Sequence, residues 1–177
     1  MSLHPRACRG ITLIEALIAL VILSLAALGY AALQMRGLSS NAGAMWRSKA
    51  VLLVGEAADR MRANQPGVST GLYAGFTGVG GSCPVAAVCG LGVSCSAAQM
   101  ARDDFDQWRC RVRDALPGGV GVICLDSTPD DGNVSVPACD GLGSTLAVKV
   151  FWSEAAASLR SGSDLDAERR IVSMVRP

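Results

Sequence analysis

The sequence predicts an α+β protein, with one long N-terminal helix followed by a head built from a second helix and an antiparallel sheet. Three observations lead there. Proline is absent from Ile11 to Asn64, so a single helix can run through that whole stretch. Short runs rich in β-branched residues follow position 119, each bounded by turn-forming residues. Six of the 7 cysteines lie between Cys83 and Cys139, an even set among Gly- and Ser-rich segments, as in a head held by disulfides. With 177 residues, half of them apolar, the chain has enough material for a real core.

The helix opens with an apolar run from Ile11 to Leu33, broken only by Thr12, Glu15, Ser24, Gly29, Tyr30 and scattered alanines. That is long enough to cross a hydrocarbon layer of ~30 Å. Arg6 and Arg9 precede it, so the short stub is expected to stay cytoplasmic and the bulk to be exported. A secretory signal would be shorter and would end at a compact small-residue cleavage site, which does not close this run. Glu15 stands out, because a carboxylate in an apolar span costs roughly 2.5–3.5 kcal/mol and calls for a partner. Beyond residue 33, Leu38, Ala42, Met45, Lys49, Val51, Leu52, Leu53, Ala57 and Met61 recur at helical steps, with Arg36, Asn41, Arg47, Glu56, Asp59 and Arg60 filling much of the rest. The breaker cluster Asn64-Gln65-Pro66-Gly67 should end the helix. The expected organisation is therefore a leader over 1–10, an apolar half-helix over 11–33, an amphipathic half-helix over 34–65 and an exported head over 66–177.

In the head, Gly67 to Gly92 reads as a long loop. Ser96-Ala97-Ala98-Gln99 has the form of a capping box, and Phe105, Trp108, Val112 and Leu116 give the helix it opens one apolar face. Its acidic and basic residues, Asp103 and Asp104 among them, are expected on a solvated face. Pro117-Gly118-Gly119 ends it. Strands are expected over Val120 to Leu125 and over Thr145 to Trp152 and Arg170 to Val175, which both alternate, with Val134 to Pro137 as a short edge strand.

Cys83, Cys89, Cys95, Cys110, Cys124 and Cys139 suggest three disulfides in an oxidising compartment. Spacing does not choose among the pairings; the one singled out is Cys124–Cys139, which would close the loop carrying Asp130-Asp131-Gly132. Zinc is disfavoured, since Cys83, Cys89 and Cys95 are too widely spaced and no histidine joins them. No C-x-x-C pair offers redox catalysis. The only histidine, His4, lies at the extreme N-terminus, and no catalytic set is present, so neither an enzyme nor a cofactor is expected. Gly78-Val79-Gly80-Gly81 lacks the lysine of a phosphate loop. Asp126, Asp130 and Asp131, with Thr128 and Asn133, form an oxygen-rich turn and a weak calcium candidate, without the EF-hand pattern or its closing glutamate; a solvated turn is the expectation. With 16 basic and 15 acidic residues, no basic field points to nucleic acid as a partner, and Arg169, Arg170 and Arg176 read as ordinary surface.

Gly10 followed by Ile11-Thr12-Leu13-Ile14-Glu15 resembles the prepilin processing motif: a basic leader, a glycine, and a glutamate at the fifth position after it. Ile11 stands where these proteins usually carry phenylalanine. Leu33-Gln34-Met35-Arg36-Gly37-Leu38 and Ala58 to Asn64 are similar to the PilV-type minor pilins, also called type IV pilus modification proteins, as are Trp108, Leu116 to Gly119 and Asp126 to Gly132. The resemblance implies a pilin fold. It implies that a prepilin peptidase cuts between Gly10 and Ile11 and methylates the new Ile11 amine. It further implies that Glu15 neutralises the terminal amine of a neighbouring subunit, two charges that become tolerable in an apolar bundle only as a pair. The implied role is that of a minor pilin, which primes or decorates a type IV pilus for adhesion or twitching motility. It would sit first in the inner membrane with a periplasmic head and later in the pilus or its tip. Its partners would be other minor pilins, the major pilin and the peptidase, with no small-molecule substrate. A type II secretion minor pseudopilin and a DNA-uptake pilin are the alternatives.

Overall fold

The computed structural model describes residues 12–77, 82–83, 88–90, 92–154 and 168–176. Helix α1 runs from Leu13 to Ala63, α2 from Gln65 to Ser69 and α3 from Ala97 to Ala115. Strands β1 (Gly75–Phe76), β2 (Val120–Leu125), β3 (Leu146–Ser153) and β4 (Glu168–Val175) form one antiparallel sheet in the order β1-β2-β3-β4. The described residues fall into two compact units that divide between Ala42 and Gly43. The α+β plan of a long first helix, an antiparallel sheet and disulfides is therefore what the chain adopts.

The core of the second unit forms where three amphipathic patterns meet. Along α1, Ala50, Leu53, Val54, Ala57, Ala58 and Met61 are buried, a stripe at three- and four-residue steps. Val51 and Leu52, which the sequence grouped with that face, lie outside it and are 54% and 73% exposed. From α3, Phe105, Trp108, Val112 and Leu116 enter the same cluster, as do Leu146, Val148, Val150 and Trp152 of β3. The capping box of α3 is formed: the Gln99 N–H donates to Ser96 Oγ, and the Ser96 N–H donates to Gln99 Oε1 at 2.9 Å. Gly121 of β2 lies directly beneath Trp108. A Cβ there would come within 2.7 Å of the indole, which is 1% exposed and has nowhere to move.

Three local expectations need correction. Val134 to Pro137 is not a strand, because its amides are already used: Ser135 and Val136 N–H donate to Asn133 Oδ1, and the Asn133 N–H donates to Val136 O. The stretch from Gly67 to Gly92 is not all loop. Pro66 sits in the first turn of α2, where a missing N–H costs nothing, so the cluster that stops α1 also starts a new helix. The short strand at the sheet edge is instead β1, which pairs Gly75 with Cys124 and Phe76 with Ile123, while β4 forms the other edge. Finally, β3 does not alternate between core and solvent. Residues Leu146 to Trp152 are all buried, so both faces of the sheet are covered at its centre.

Candidate functional site

In the first unit, every large apolar side chain from Leu13 to Leu38 is exposed. A helix apolar on all sides belongs in lipid or in a bundle of like helices, and α1 is long and apolar enough to cross a membrane. Thr12 caps its start, with the Glu15 N–H donating to Thr12 Oγ1 at 3.3 Å. Glu15 is thus held in the first turn, where the N-terminal end of the helix dipole favours an anion. Among the described residues no basic side chain lies within ion-pair distance of its carboxylate.

The outer face of the sheet carries a second polar centre. Lys149 is fully buried on β3, opposite Val122 of β2 and Val172 of β4. Its Nζ touches the equally buried Asp126 Oδ2 and donates to Asp131 Oδ1 at 2.9 Å and to Pro137 O at 3.0 Å. The loop after β2 wraps around it. Gly132 turns with φ +85°, where a Cβ would come within 2.5 Å of Pro137 O. The disulfide Cys124–Cys139 ties the loop to the end of β2. Outside the loop, Arg170 Nε donates to Asp130 Oδ1 at 2.9 Å. Asp140 accepts from the Ser127 hydroxyl and N–H and from the Leu142 N–H. The hydrogen bond from Lys149 holds the Asp131 carboxyl below the usual carboxylate range, and the one from Ser127 does the same for Asp140. A lowered folded-state value means stability that is complete above the ordinary carboxylate pKa and is lost as pH falls through the lowered one. The Tm of Asp140→Asn should therefore vary less steeply with pH below ~4 than that of the wild type, as followed by circular dichroism.

A third constellation joins α1 to α3. Arg60 Nη1 donates to Asp104 Oδ1 and Nε to Glu56 Oε1, both at 2.8 Å. Tyr73 Oη donates to Asp104 Oδ2 at 3.2 Å, and Asn64 Nδ2 donates to Tyr73 Oη at 3.1 Å. Burial raises the Asp104 carboxyl despite Arg60, and burial pushes the Tyr73 hydroxyl up to about 12. Burial lowers Arg60, but its two carboxylate partners outweigh that and leave it raised. Asp103 is buried too, accepting from the N–H groups of Val88 and Cys89, so the solvated acidic face expected on α3 is partly an anchoring face. Two further disulfides, Cys83–Cys110 and Cys89–Cys95, fasten the preceding loop to α3 and to itself.

The comparisons with known proteins bear on both units. Residues 5–31 match the family model of the prokaryotic N-terminal methylation motif. Residues 32–108 match the model described as type IV pilin Tt1218, so the two matches run without a gap from residue 5 to residue 108. The chain belongs to the type IV pilins. No curated protein and no solved structure matched it.

In this pilin the residues expected to be cut and methylated, Gly10 and Ile11, lie outside the described residues, as do the leader and Gly78 to Gly81. Glu15 lies on the exposed apolar helix. The acids of the calcium candidate are spread over two cations, with Asp126 and Asp131 on Lys149 and Asp130 on Arg170. Sequence reasoning missed Lys149. The signal was present as a single lysine inside the apolar run Leu146 to Trp152, where a charge can be buried only if the fold brings acids to it.

Proposed function

We propose that this pilin is a minor pilin of the PilV kind, a structural subunit that primes or decorates a type IV pilus. Prepilin peptidase removes residues 1–10 and methylates Ile11. The apolar half of α1 holds the protein in the inner membrane with its head on the periplasmic side, then passes into a bundle with the helices of other minor pilins and the major pilin. The observation that carries this reading is Glu15: a carboxylate in the exposed apolar half of α1, with no cation of its own among the described residues. A neighbouring subunit's terminal amine is a cation of the right charge at the right depth, and pairing relieves both groups of their cost in an apolar setting. The protein acts without turnover chemistry.

The experiment is Glu15→Ala in cells. Membrane insertion and cleavage should be unchanged, as read by intact mass and N-terminal sequencing. Incorporation into sheared pili should fall on the order of a hundredfold, since the neighbour's terminal amine is left unpaired in the apolar bundle at a cost of roughly 2.5–3.5 kcal/mol. Normal incorporation would refute the pairing role. A deletion strain that keeps its pili but no longer secretes enzymes would instead assign the protein to a type II secretion pseudopilus.

A further inference from the structure

The loop over β3 has the makeup of a cation shell. Five oxygens surround Lys149 Nζ: Asp126 Oδ2 in direct contact, Asp131 Oδ1 at 2.9 Å, Pro137 O at 3.0 Å, and Asp131 O and Ala138 O at 3.4 Å. An ammonium has only three N–H donors, so five oxygens exceed what directed hydrogen bonds can satisfy. Asp126 Oδ2 is buried and pairs with Nζ by charge and contact, without a directed hydrogen bond. Charge is in excess as well. Two carboxylates touch one ammonium, while Asp130 of the same loop is held by Arg170. Ala138 adopts φ 53°, an uncommon conformation for a residue with a side chain, while its carbonyl lies within reach of Nζ. Two carboxylates and three carbonyls around one point are a hard-oxygen set of the kind calcium takes, at 2.3–2.6 Å with flexible geometry.

We propose that the segment from Asp126 to Ala138 is a divalent-cation shell whose cation the chain supplies itself, the Lys149 ammonium. The wild-type loop is therefore ordered without calcium. Removing the ammonium by Lys149→Met, which keeps the length of the side chain and deletes its charge, turns the same oxygens into a calcium site. Magnesium is a poor substitute, because it demands a tight octahedron and gives up its waters reluctantly.

The test is thermal unfolding of the full chain in non-ionic detergent, followed by near-ultraviolet circular dichroism, with EDTA, magnesium chloride or calcium chloride. Wild-type Tm should be the same in all three. In EDTA, Lys149→Met should melt on the order of 10 °C lower, and millimolar calcium but not magnesium should recover most of that loss. If the variant is unfolded in EDTA, recovery of the folded spectrum on adding calcium is the same positive result. Asp131→Asn in the Lys149→Met background should abolish the recovery. The proposal is overturned if calcium leaves Lys149→Met unchanged, if magnesium serves as well, if the recovery survives Asp131→Asn, or if EDTA lowers the Tm of the wild type.

Discussion

Asp126→Ala should destabilise the head by about 3–5 kcal/mol, the cost of leaving a buried charge without its partner. Both members of the pair are fully buried, and Asp131, the other acid on Lys149, is 43% exposed at its side chain and offsets the lost contact only in part. The substitution also removes the acceptor for the Thr128 N–H at the entry to the loop. Asp126→Asn retains an oxygen in that position and should cost less, which separates shape from charge. Denaturant unfolding of the full chain in detergent and EDTA measures the effect. The double variant Asp126→Ala, Lys149→Met should be more stable than the sum of the single losses, because it has no stranded charge. A cost below ~1 kcal/mol for Asp126→Ala would show that the pair is solvated as an ordinary surface ion pair is.

Trp108→Ala should cost a similar ~3–5 kcal/mol through the cavity it leaves. The indole packs onto Gly121 of β2, its neighbour Phe105 lies at a ring separation of 6.1 Å, and Nε1 donates to Leu53 O of α1 at 2.7 Å. One side chain thus touches all three parts of the core. The glycine below it removes the option of filling the gap from the sheet. Trp108→Phe, which keeps most of the volume and loses the donor, should retain more than half of the stability difference. Equal losses for the two variants would place the effect in the hydrogen bond instead of the packing.

Where the sequence carried a strong period or a capping signature, it was legible. The long first helix, seen from Leu13 to Ala63, the Ser96 capping box and the run from Val120 to Leu125 are elements of the fold that local chemistry determines. The even set of six cysteines pointed to disulfides for the same kind of reason. What escaped was set by contacts distant in sequence. Val51 and Leu52 are as apolar as Leu53, and only the position of α3 and the sheet decides which of them is covered. Lys149 looked like the polar member of an alternating strand, and only the loop folded over it, through residues 11 to 23 positions away, makes it interior. Val134 to Pro137 resembled a short edge strand, and only the Asn133 side chain, by taking the amides a strand would need, rules it out. At the stem, Glu15 was legible as an anomaly in composition alone. Its expected partner lies on another molecule, so nothing within one chain could complete the site.

The Trp108 bond to Leu53 has a mechanical consequence. A fibre subunit tugged through its stem transmits load to the head wherever the helix is gripped. The buried side chains from Ala50 to Met61 and the indole clasp on the Leu53 carbonyl lie along about three turns of one rod. Tension along that rod strains these attachments together, in shear, instead of unzipping them one by one. The head should accordingly yield abruptly and at high force, with the indole seated on Gly121 and bonded to Leu53 as the latch that sets the threshold.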